Sequence, residues 1–241
     1  MKTAKPKKPI KLAELKKMNQ ELDRFVYSAS HDLKAPLRSI MGIVNIAKTE
    51  TQDDKQALYL DMIYRSASKL SNFINDLTNF SRNSRLEVLH QKIDFNEILQ
   101  ETMESMSYMD SAHNFQVNAN FEGEAFFSDI SRLKIVFANL ISNAIKYQRD
   151  DSKVIPKLDL LVNVTKSKAL LTFADNGEGI PLEHQKNVFK MFYRASERSQ
   201  GSGLGLFIIK EIVKKLNGKI KLESVPNQGT TFSISIPNSK S

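Results

Sequence analysis

The sequence predicts two domains: an N-terminal all-α helical hairpin that pairs with a second copy into a dimeric four-helix bundle, and a C-terminal α+β sandwich. Three observations predict this division. The chain has 241 residues, more than one ordinary domain needs. Apolar residues recur at intervals of three and four up to about residue 86, and beyond about residue 115 they alternate with polar residues as in strands. We place a basic tail at 1–11, the hairpin at 12–88 and the α+β domain at 89–241.

The first domain is predicted to contain two long antiparallel helices, at about 9–48 and 54–86, joined by the polar stretch Thr49–Lys55. Each helix has a heptad seam of the kind that packs on other helices. One hairpin leaves much of both seams exposed, so a homodimer is predicted, in which the second chain covers them. The seam positions are Leu12, Leu15, Asn19, Leu22, Val26, Ala29 and Leu33 in the first helix and Leu60, Ile63, Ala67, Leu70, Ile74, Leu77 and Ser81 in the second.

The second domain is predicted to place helices on one face of a mixed sheet. Asn217 and Gly218 are expected to end its last helix, and Pro226–Gly229 is expected to form a turn between the two closing strands. In chain order, the predicted elements are a helix at Phe95–Met106, a strand around Phe115–Phe121, a helix at Asp129–Tyr147, strands at Leu158–Val164 and Leu170–Ala174, a helix at Ile208–Leu216, and strands at Lys219–Glu223 and Thr231–Ile236.

The composition is that of a globular protein and excludes several classes of function. Hydrophobic residues make up 41% of the chain and charged residues 26%, a balance that supports a buried core. With no cysteine, the chain has no disulfide framework, thiolate metal site or cysteine nucleophile. No apolar run reaches the roughly 18 residues that a membrane-spanning helix needs, and we expect a cytoplasmic location.

The net charge of +8 is concentrated at the N terminus. The first seventeen residues carry seven lysines against one acidic residue, Glu14, and the rest of the chain is close to neutral. A solvated tail is the simpler interpretation of so short a basic segment, and contact with a membrane surface or with nucleic acid is the alternative. We predict no nucleic-acid partner.

One histidine is placed where it can react. His31 lies about 200° around the helix from the seam residues Ala29 and Leu33, so it is predicted to face solvent. Asp32 follows directly, and a carboxylate beside an imidazole can hold one ring N–H and leave the other nitrogen as a nucleophile. Pro36 lies inside the helix, where it costs about 3 kcal/mol and is expected to bend the chain. An idle surface histidine is the alternative.

The segment Ser30–Leu37, Ser-His-Asp-Leu-Lys-Ala-Pro-Leu, resembles the H-box of sensor histidine kinases, in the variant found in phytochrome-like members. Further motifs of this family follow in the family's order, so the resemblance covers the chain from about Leu12 onward. It implies that His31 accepts a phosphoryl group and that the C-terminal sandwich has the gyrase-type ATP-binding fold. It also implies a longer sensor protein whose upstream sensor domain is missing from this chain.

A polar ridge is predicted on the helix at Asp129–Tyr147. Asn139, Asn143 and Lys146 fall at i, i+4 and i+7 and border its apolar face. Structural hydrogen bonds would explain two such amides equally well. The stretch Asn139–Tyr147 resembles the family's N-box, which implies Asn143 as a Mg²⁺ ligand, Asn139 near the phosphates, Lys146 on phosphate charge and Tyr147 in the nucleotide site. Mg²⁺ is commonly shared with substrate phosphates, so one neutral amide is a reasonable protein ligand.

The segment Asp175-Asn176-Gly177-Glu178-Gly179 follows an apolar run, so a carboxylate stands at a strand end beside glycines that let the backbone approach a ligand. An ordinary turn is the alternative. The segment resembles the family's G1 box, where Asp175 would accept a hydrogen bond from the adenine amino group. Guanine presents a carbonyl at that place, so the implied interaction selects ATP.

The glycines of Gly201-Ser202-Gly203-Leu204-Gly205 precede a predicted helix, and amides at a helix start suit phosphate. The segment lacks the ending of a P-loop and the spacing of the Rossmann motif, and it resembles the family's G2 box. Between the glycine boxes, 181–200 is predicted to be a mobile lid with Phe189 and Phe192 as apolar anchors. We assign Arg194 to the γ-phosphate, with a solvated cation as the alternative.

Together these motifs predict a protein histidine kinase. A ring nitrogen of His31 attacks the γ-phosphorus of MgATP while Asp32 holds the other nitrogen, and positioning does most of the catalysis. The resemblance then implies transfer to an aspartate of a response-regulator receiver domain. Ala35 stands where the family usually has Thr or Asn to position water, so we expect weak dephosphorylation of the regulator.

Two other classes of protein remain as alternatives. One is a pseudokinase that binds nucleotide or a partner and serves as a dimeric scaffold. Such a protein would not need every motif intact, so the presence of all of them weighs against it. The other is an ATPase of the gyrase-type fold that hydrolyses ATP without a phosphoprotein, although such an enzyme would not need the His31–Asp32 pair.

Overall fold

The computed structural model describes residues 12–107, 109, 112, 114–149, 151, 153–195 and 202–239, and the side chains of residues 12–27, 31 and 84 lie outside this description. The predicted basic tail at 1–11 therefore lies outside the described residues. The chain divides into two compact units, with the boundary between Leu86 and Glu87.

The elements of the described residues follow the predicted order. The helices are α1 (Leu12–Glu50), α2 (Asp54–Arg85), α3 (Phe95–Met106), α4 (Ile130–Lys146), α5 (Leu182–Gln185) and α6 (Gly205–Lys215). The strands are β1 (Gln91–Lys92), β2 (Gln116–Gly123), β3 (Phe127–Ser128), β4 (Lys157–Val164), β5 (Lys168–Asp175), β6 (Lys219–Val225) and β7 (Gly229–Pro237).

The first unit is the predicted hairpin of α1 and α2. Asp53 begins α2 as its N-cap, because its carboxylate accepts hydrogen bonds from the backbone N–H groups of Lys55, at 2.8 Å, and Gln56, at 3.3 Å. Lys48, near the end of α1, reaches Asp61 of α2 at 3.2 Å. The Lys48–Asp61 ion pair joins the two helices beside a turn that is shorter than the predicted one.

Within one chain, some residues of the predicted seam are buried and others are exposed. Ala67 and Ile74 of α2 are buried against Leu37 of α1. In contrast, Ile63 and Leu70 are 47% and 48% exposed, and Leu33, also a predicted seam residue, is 52% exposed. The seam positions from Leu12 to Val26 lie outside the described side chains. One hairpin therefore buries only part of its apolar surface.

The second unit contains a five-stranded sheet with the strand order β2-β4-β5-β7-β6. β2 and β4 are parallel and the other neighbours are antiparallel, so the sheet is mixed, as predicted. Along β4 alternate residues are buried, and Asp159, Leu161 and Asn163 point to the other face. One face of the sheet therefore packs on the helices.

The core of the second unit lies between this sheet and the helices. Phe137 of α4 is fully buried and meets Phe173 of β5 edge to face, with ring centres 5.1 Å apart. Phe95 of α3 stacks on Phe126 at 5.7 Å. The predicted helical N-terminal region and C-terminal sandwich are both confirmed.

Three small elements were not predicted: the two-stranded pair of β1 and β3, and the single turn of α5. Strands of two residues and a helix of four residues are too short for a periodic pattern. The predicted stop at the end of α6 is present, but Asn217 rather than Gly218 adopts the left-handed conformation, with φ of 56°. The N–H of Gly218 then donates to the carbonyl of Val213 at 2.8 Å.

Candidate nucleotide-binding site

Asp175 ends β5 and is largely buried. Its Oδ1 accepts hydrogen bonds from the backbone N–H of Gly177, at 2.9 Å, and of Thr230, at 3.1 Å. Burial raises the pKa of the Asp175 carboxyl, and these two hydrogen bonds oppose the rise. Within the described part of the chain, the second oxygen, Oδ2, has no hydrogen-bond partner. The carboxylate is therefore fixed by one oxygen and can accept a donor at the other.

The loop after Asp175 packs too closely for side chains at its two glycines. A Cβ on Gly177 would lie 2.4 Å from the carbonyl oxygen of Tyr147. Gly179 has φ of +69°, and a Cβ there would lie 2.1 Å from the carbonyl oxygen of Val225. The sequence predicted glycines for close approach to a ligand, and the structure adds that the protein backbone itself requires them.

The polar ridge of α4 runs toward this loop. Asn139 donates from Nδ2 to the carbonyl of Ile135 at 2.8 Å, which is the structural hydrogen bond that the sequence left open. Its Oδ1 faces the start of α6, since a Cβ on Gly205 would lie 2.5 Å from that oxygen. Asn143 is partly buried one turn further on, and Lys146 is exposed. Tyr147 is the C-cap of the helix.

The second glycine segment leads into α6 as predicted. Leu204 is fully buried, and its N–H donates to Oγ of Ser202 at 3.1 Å. Gly203 has φ of +72° and packs on the backbone of Phe192, where a Cβ would lie 2.8 Å from the carbonyl carbon. The first-turn amides of α6 carry the partial positive charge of a helix start. Gly201 lies outside the described residues.

The described part of the predicted lid, 181–195, is attached to the body of the second unit. The ring of Phe189 meets that of Phe232 edge to face at 6.4 Å. Nδ1 of His184 and the hydroxyl of Tyr193 form a hydrogen bond of 2.7 Å. Arg194 is exposed at the end of this part. Residues 196–201 lie outside the described residues, and the mobility of the lid stays a prediction.

His31 and Asp32 lie in the first unit, on α1. The backbone is helical throughout α1, including Pro36, and Asp32 is exposed. The side chain of His31 lies outside the description, so its solvent-facing orientation stays a prediction. Ser30, the residue before it, is buried at 2% exposure. The predicted phosphoacceptor and the predicted nucleotide residues thus belong to different units of the chain.

Sequence reasoning missed two residues that support the Asp175 loop. Thr230 acts through its backbone N–H, which has no signature in a sequence. Ser224 accepts from the N–H of Ile180 at 2.8 Å and donates to the carbonyl of Gly229 at 3.0 Å. No periodicity or motif marks a serine for this task.

Comparison with known protein families assigns both units. Residues 21–85 match the family model for the His Kinase A (phospho-acceptor) domain. Residues 128–240 match the model for the histidine kinase-, DNA gyrase B-, and HSP90-like ATPase. Together the two matches cover well over half of the chain. The fold and the site thus define a phosphoacceptor domain followed by an ATPase domain.

The chain belongs to the sensor histidine kinases and holds their catalytic core. It is 33% identical over 225 residues to cyanobacterial phytochrome B of Nostoc sp., an alignment that covers 91% of this chain and 30% of that protein. It is 29% identical over 238 residues to the sensor protein kinase WalK of Staphylococcus saprophyticus, covering 94% of this chain and 38% of that protein. The predicted family is confirmed.

A solved structure supports the fold. The crystal structure of full-length ShkA in complex with AMPPNP superposes with a TM-score of 0.70 at 20% identity, over 90% of this chain and 46% of that chain. This chain spans well under half the length of the two curated relatives. Among the described residues, no helix is both long enough and apolar enough to cross a membrane.

The raised pKa of Asp175 predicts a pH dependence of stability. Between 3.8, the ordinary value, and the raised value, the folded state binds more protons than the unfolded state, so the free energy of unfolding falls as pH rises through this window. Asp175→Asn keeps an acceptor at Oδ1 and cannot ionise. We measure the free energy of unfolding of both proteins by denaturant titration. The value of the variant minus that of the wild type is expected to increase as pH rises through this window and then to level off. A difference that stays constant across this range would contradict burial of the charge.

Proposed function

We propose that this chain transfers the γ-phosphoryl group of ATP to His31 and then to an aspartate of a response regulator. One observation carries the proposal: a phosphoacceptor domain with the His31–Asp32 pair precedes, in the same chain, an ATPase domain that carries the Asp175 carboxylate. A nucleotide-binding scaffold would not need the His31–Asp32 pair, and an ATPase without a phosphoprotein would need only the second domain.

In this proposal Asp175 recognises the base through Oδ2, which accepts from the adenine amino group. Its Oδ1 accepts hydrogen bonds from the N–H groups of Gly177 and Thr230, and these bonds fix the direction in which Oδ2 points. A fixed acceptor favours a donor at that place on the base and disfavours the carbonyl of guanine. The neighbouring backbone that contacts the nucleotide is that of Gly177, Gly179 and Tyr147.

The phosphates lie at the start of α6 in this proposal. In this proposal the segment of Gly201, Gly203, Leu204 and Gly205 binds the phosphates, as other helix starts bind anions. The burial of Leu204 supports this role, because it anchors the loop to the core. The side chains that we assign to the phosphates are Asn139, Lys146 and Arg194.

The donor chemistry of α4 fits a magnesium ion, with Asn143 as its ligand from the protein. Asn143 is partly buried on the same ridge as Asn139, and its amide oxygen is the neutral, hard donor that Mg²⁺ accepts. When bound, Mg²⁺ would neutralise phosphate charge in the transferring group.

His31 acts as the nucleophile. Its Nε2 lone pair forms a bond to the γ-phosphorus as the bond from phosphorus to the bridging oxygen breaks, and ADP leaves with that electron pair. Asp32 holds the N–H at Nδ1 and stabilises the positive charge that develops on the ring. Catalysis then depends on how well the reacting atoms are positioned.

The partner that receives the phosphoryl group is the receiver domain of a response regulator. Ala35 offers no side-chain oxygen to position a water molecule, so we propose that the chain dephosphorylates the regulator only weakly. Rapid loss of phosphate from a labelled regulator on addition of the chain would contradict this.

The exposed half of the seam supports a homodimer. Ile40, Met62, Ile63 and Leu70 line an open groove of about 400 Å³ between α1 and α2. All four side chains are 46% to 58% exposed in one hairpin, an unusual state for large apolar residues along a single stripe. A second copy offers the same stripe, and two hairpins that share it complete a four-helix bundle.

We expect the wild-type chain to have twice its mass of 27.4 kDa in solution, and Ile63→Lys to shift it toward the monomer, because a charge cannot be buried in the bundle core without a partner. Light scattering after size-exclusion chromatography measures both. Leu161→Lys is the matched control, since Leu161 is 50% exposed on the open face of the sheet. A monomeric wild type, or equal effects of both substitutions, would refute the dimer.

Incubation with γ-labelled ATP and Mg²⁺ tests the central reaction. We expect label on the chain that is labile in acid and stable in base, that is absent from His31→Gln, and that is reduced by at least about tenfold in Asn143→Ala, which loses the metal ligand. Lys153→Met is the control, because Lys153 is exposed between α4 and β4 and has no assigned role.

The same experiment separates the alternatives. Free phosphate without labelled protein would indicate an ATPase. Bound nucleotide with neither product would indicate a scaffold. Label that survives in His31→Gln would assign the phosphoacceptor to another residue and contradict the proposal.

A further inference from the structure

A closed ring of hydrogen bonds surrounds the loop that follows Asp175. The carbonyl of Tyr147 accepts from the N–H of Glu178 at 2.9 Å, and the carbonyl of Glu178 accepts from the N–H of Asn227 at 2.7 Å. The carbonyl of Asn227 accepts from Nη1 of Arg149 at 2.7 Å. Arg149 lies two residues after Tyr147, so the chain itself closes the ring. The ring joins the end of α4, the Asp175 loop and the turn between β6 and β7.

Arg149 supplies the side-chain link in this ring, since the hydrogen bonds of Glu178 and Asn227 run between backbone groups. A guanidinium donating to a carbonyl forms a charge-assisted hydrogen bond, which is stronger than one between neutral groups. The side chain is partly buried, and its Nε is buried without a hydrogen-bond partner among the described residues. A guanidinium in solvent would not leave a donor unpaired, so this one is packed in place against the turn.

The turn that Arg149 holds is the one that fixes Asp175. Gly229 ends the turn and packs on Asp175, where a Cβ would lie 2.0 Å from the carbonyl oxygen of the aspartate. The next residue, Thr230, donates its N–H to Oδ1. A displacement of the turn therefore moves one of the two donors that orient the carboxylate.

We propose that Arg149 is a positioning residue for nucleotide recognition, which holds the turn between β6 and β7 so that the Asp175 carboxylate keeps its direction toward the base. The inference rests on the proposed binding of ATP at Asp175. Arg149 does not itself contact the base in this proposal. It governs how well the chain distinguishes adenine from guanine.

The test compares ATP and GTP binding in Arg149→Met, measured by displacement of a fluorescent ATP analogue from the full chain. We expect ATP binding to weaken by about three- to tenfold. GTP binding is expected to stay nearly unchanged, because guanine gains nothing from a fixed Asp175. Arg149→Lys keeps a cation on a long stem and is expected to recover part of the selectivity, and it also serves if Arg149→Met fails to fold.

Two variants control for charge and for loss of phosphate contact. Lys153→Met removes a positive charge four residues further along the chain and is expected to leave both affinities unchanged. Lys146→Met is expected to weaken ATP and GTP binding equally, since phosphate is common to both. An unchanged ratio of ATP to GTP affinity in Arg149→Met, or an equal loss for both nucleotides, would overturn the role of Arg149.

Hydrogen exchange in the nucleotide-free chain tests the ring without ATP. We expect the amides of Gly177 and Thr230 to exchange faster in Arg149→Met than in the wild type and in Lys153→Met. Equal exchange rates would overturn the inference. If Arg149→Met exchanges faster but the wild-type chain binds no ATP, the proposed function is contradicted. The role of Arg149 in holding the turn is then still supported.

Discussion

The buried carboxylate of Asp175 is the constraint on which the arrangement of the second unit depends. An ionised group away from water needs partners, and two backbone N–H groups from separate parts of the chain supply them at one oxygen. To bring both donors within reach, the loop after β5 and the start of β7 must pack without side chains between them. The backbone at Gly177, Gly179 and Gly229 meets neighbouring carbonyl groups at distances that no other residue allows. What remains is a single oxygen with a set direction, which is what recognition of one base requires.

The first unit meets a different requirement, because its apolar surface exceeds what two helices can cover. Leu37, Ala67 and Ile74 close the contact within the hairpin, and residues such as Ile63 and Leu70 lie outside it. A heptad seam has two apolar positions, and in this hairpin residues at one are buried within the chain while Ile63 and Leu70 at the other are exposed. The exposed part of this surface is what the proposed homodimer would bury.

Much of the fold could be predicted from the sequence because periodicity and capping are local. The bounds of α3 agree at both ends, and α4 lies between its predicted end residues, Asp129 and Tyr147, which are its caps. The positions of Asp175 and of the glycine segments could be predicted because strand ends and helix starts carry motifs. The supporting contacts could not, since the amide of Thr230 and the guanidinium of Arg149 act across many residues of sequence. The sequence could not predict which seam residues are buried within the hairpin either, because the spacing of Ile63, Ala67 and Leu70 is the same whichever helix each one packs on.

The proposed recognition of adenine depends most on the state of the Asp175 carboxyl group, which ¹³C NMR can follow during a pH titration. In the free protein the pKa of Asp175 is expected to lie above its ordinary value of 3.8, because burial disfavours the charge. ATP that donates its amino group to Oδ2 favours the ionised form, so the pKa is expected to fall when ATP binds, and GTP is expected to leave it unchanged. An ordinary pKa in the free protein, or a pKa that ATP and GTP change alike, would contradict the claim that this carboxylate is buried, oriented and specific for adenine.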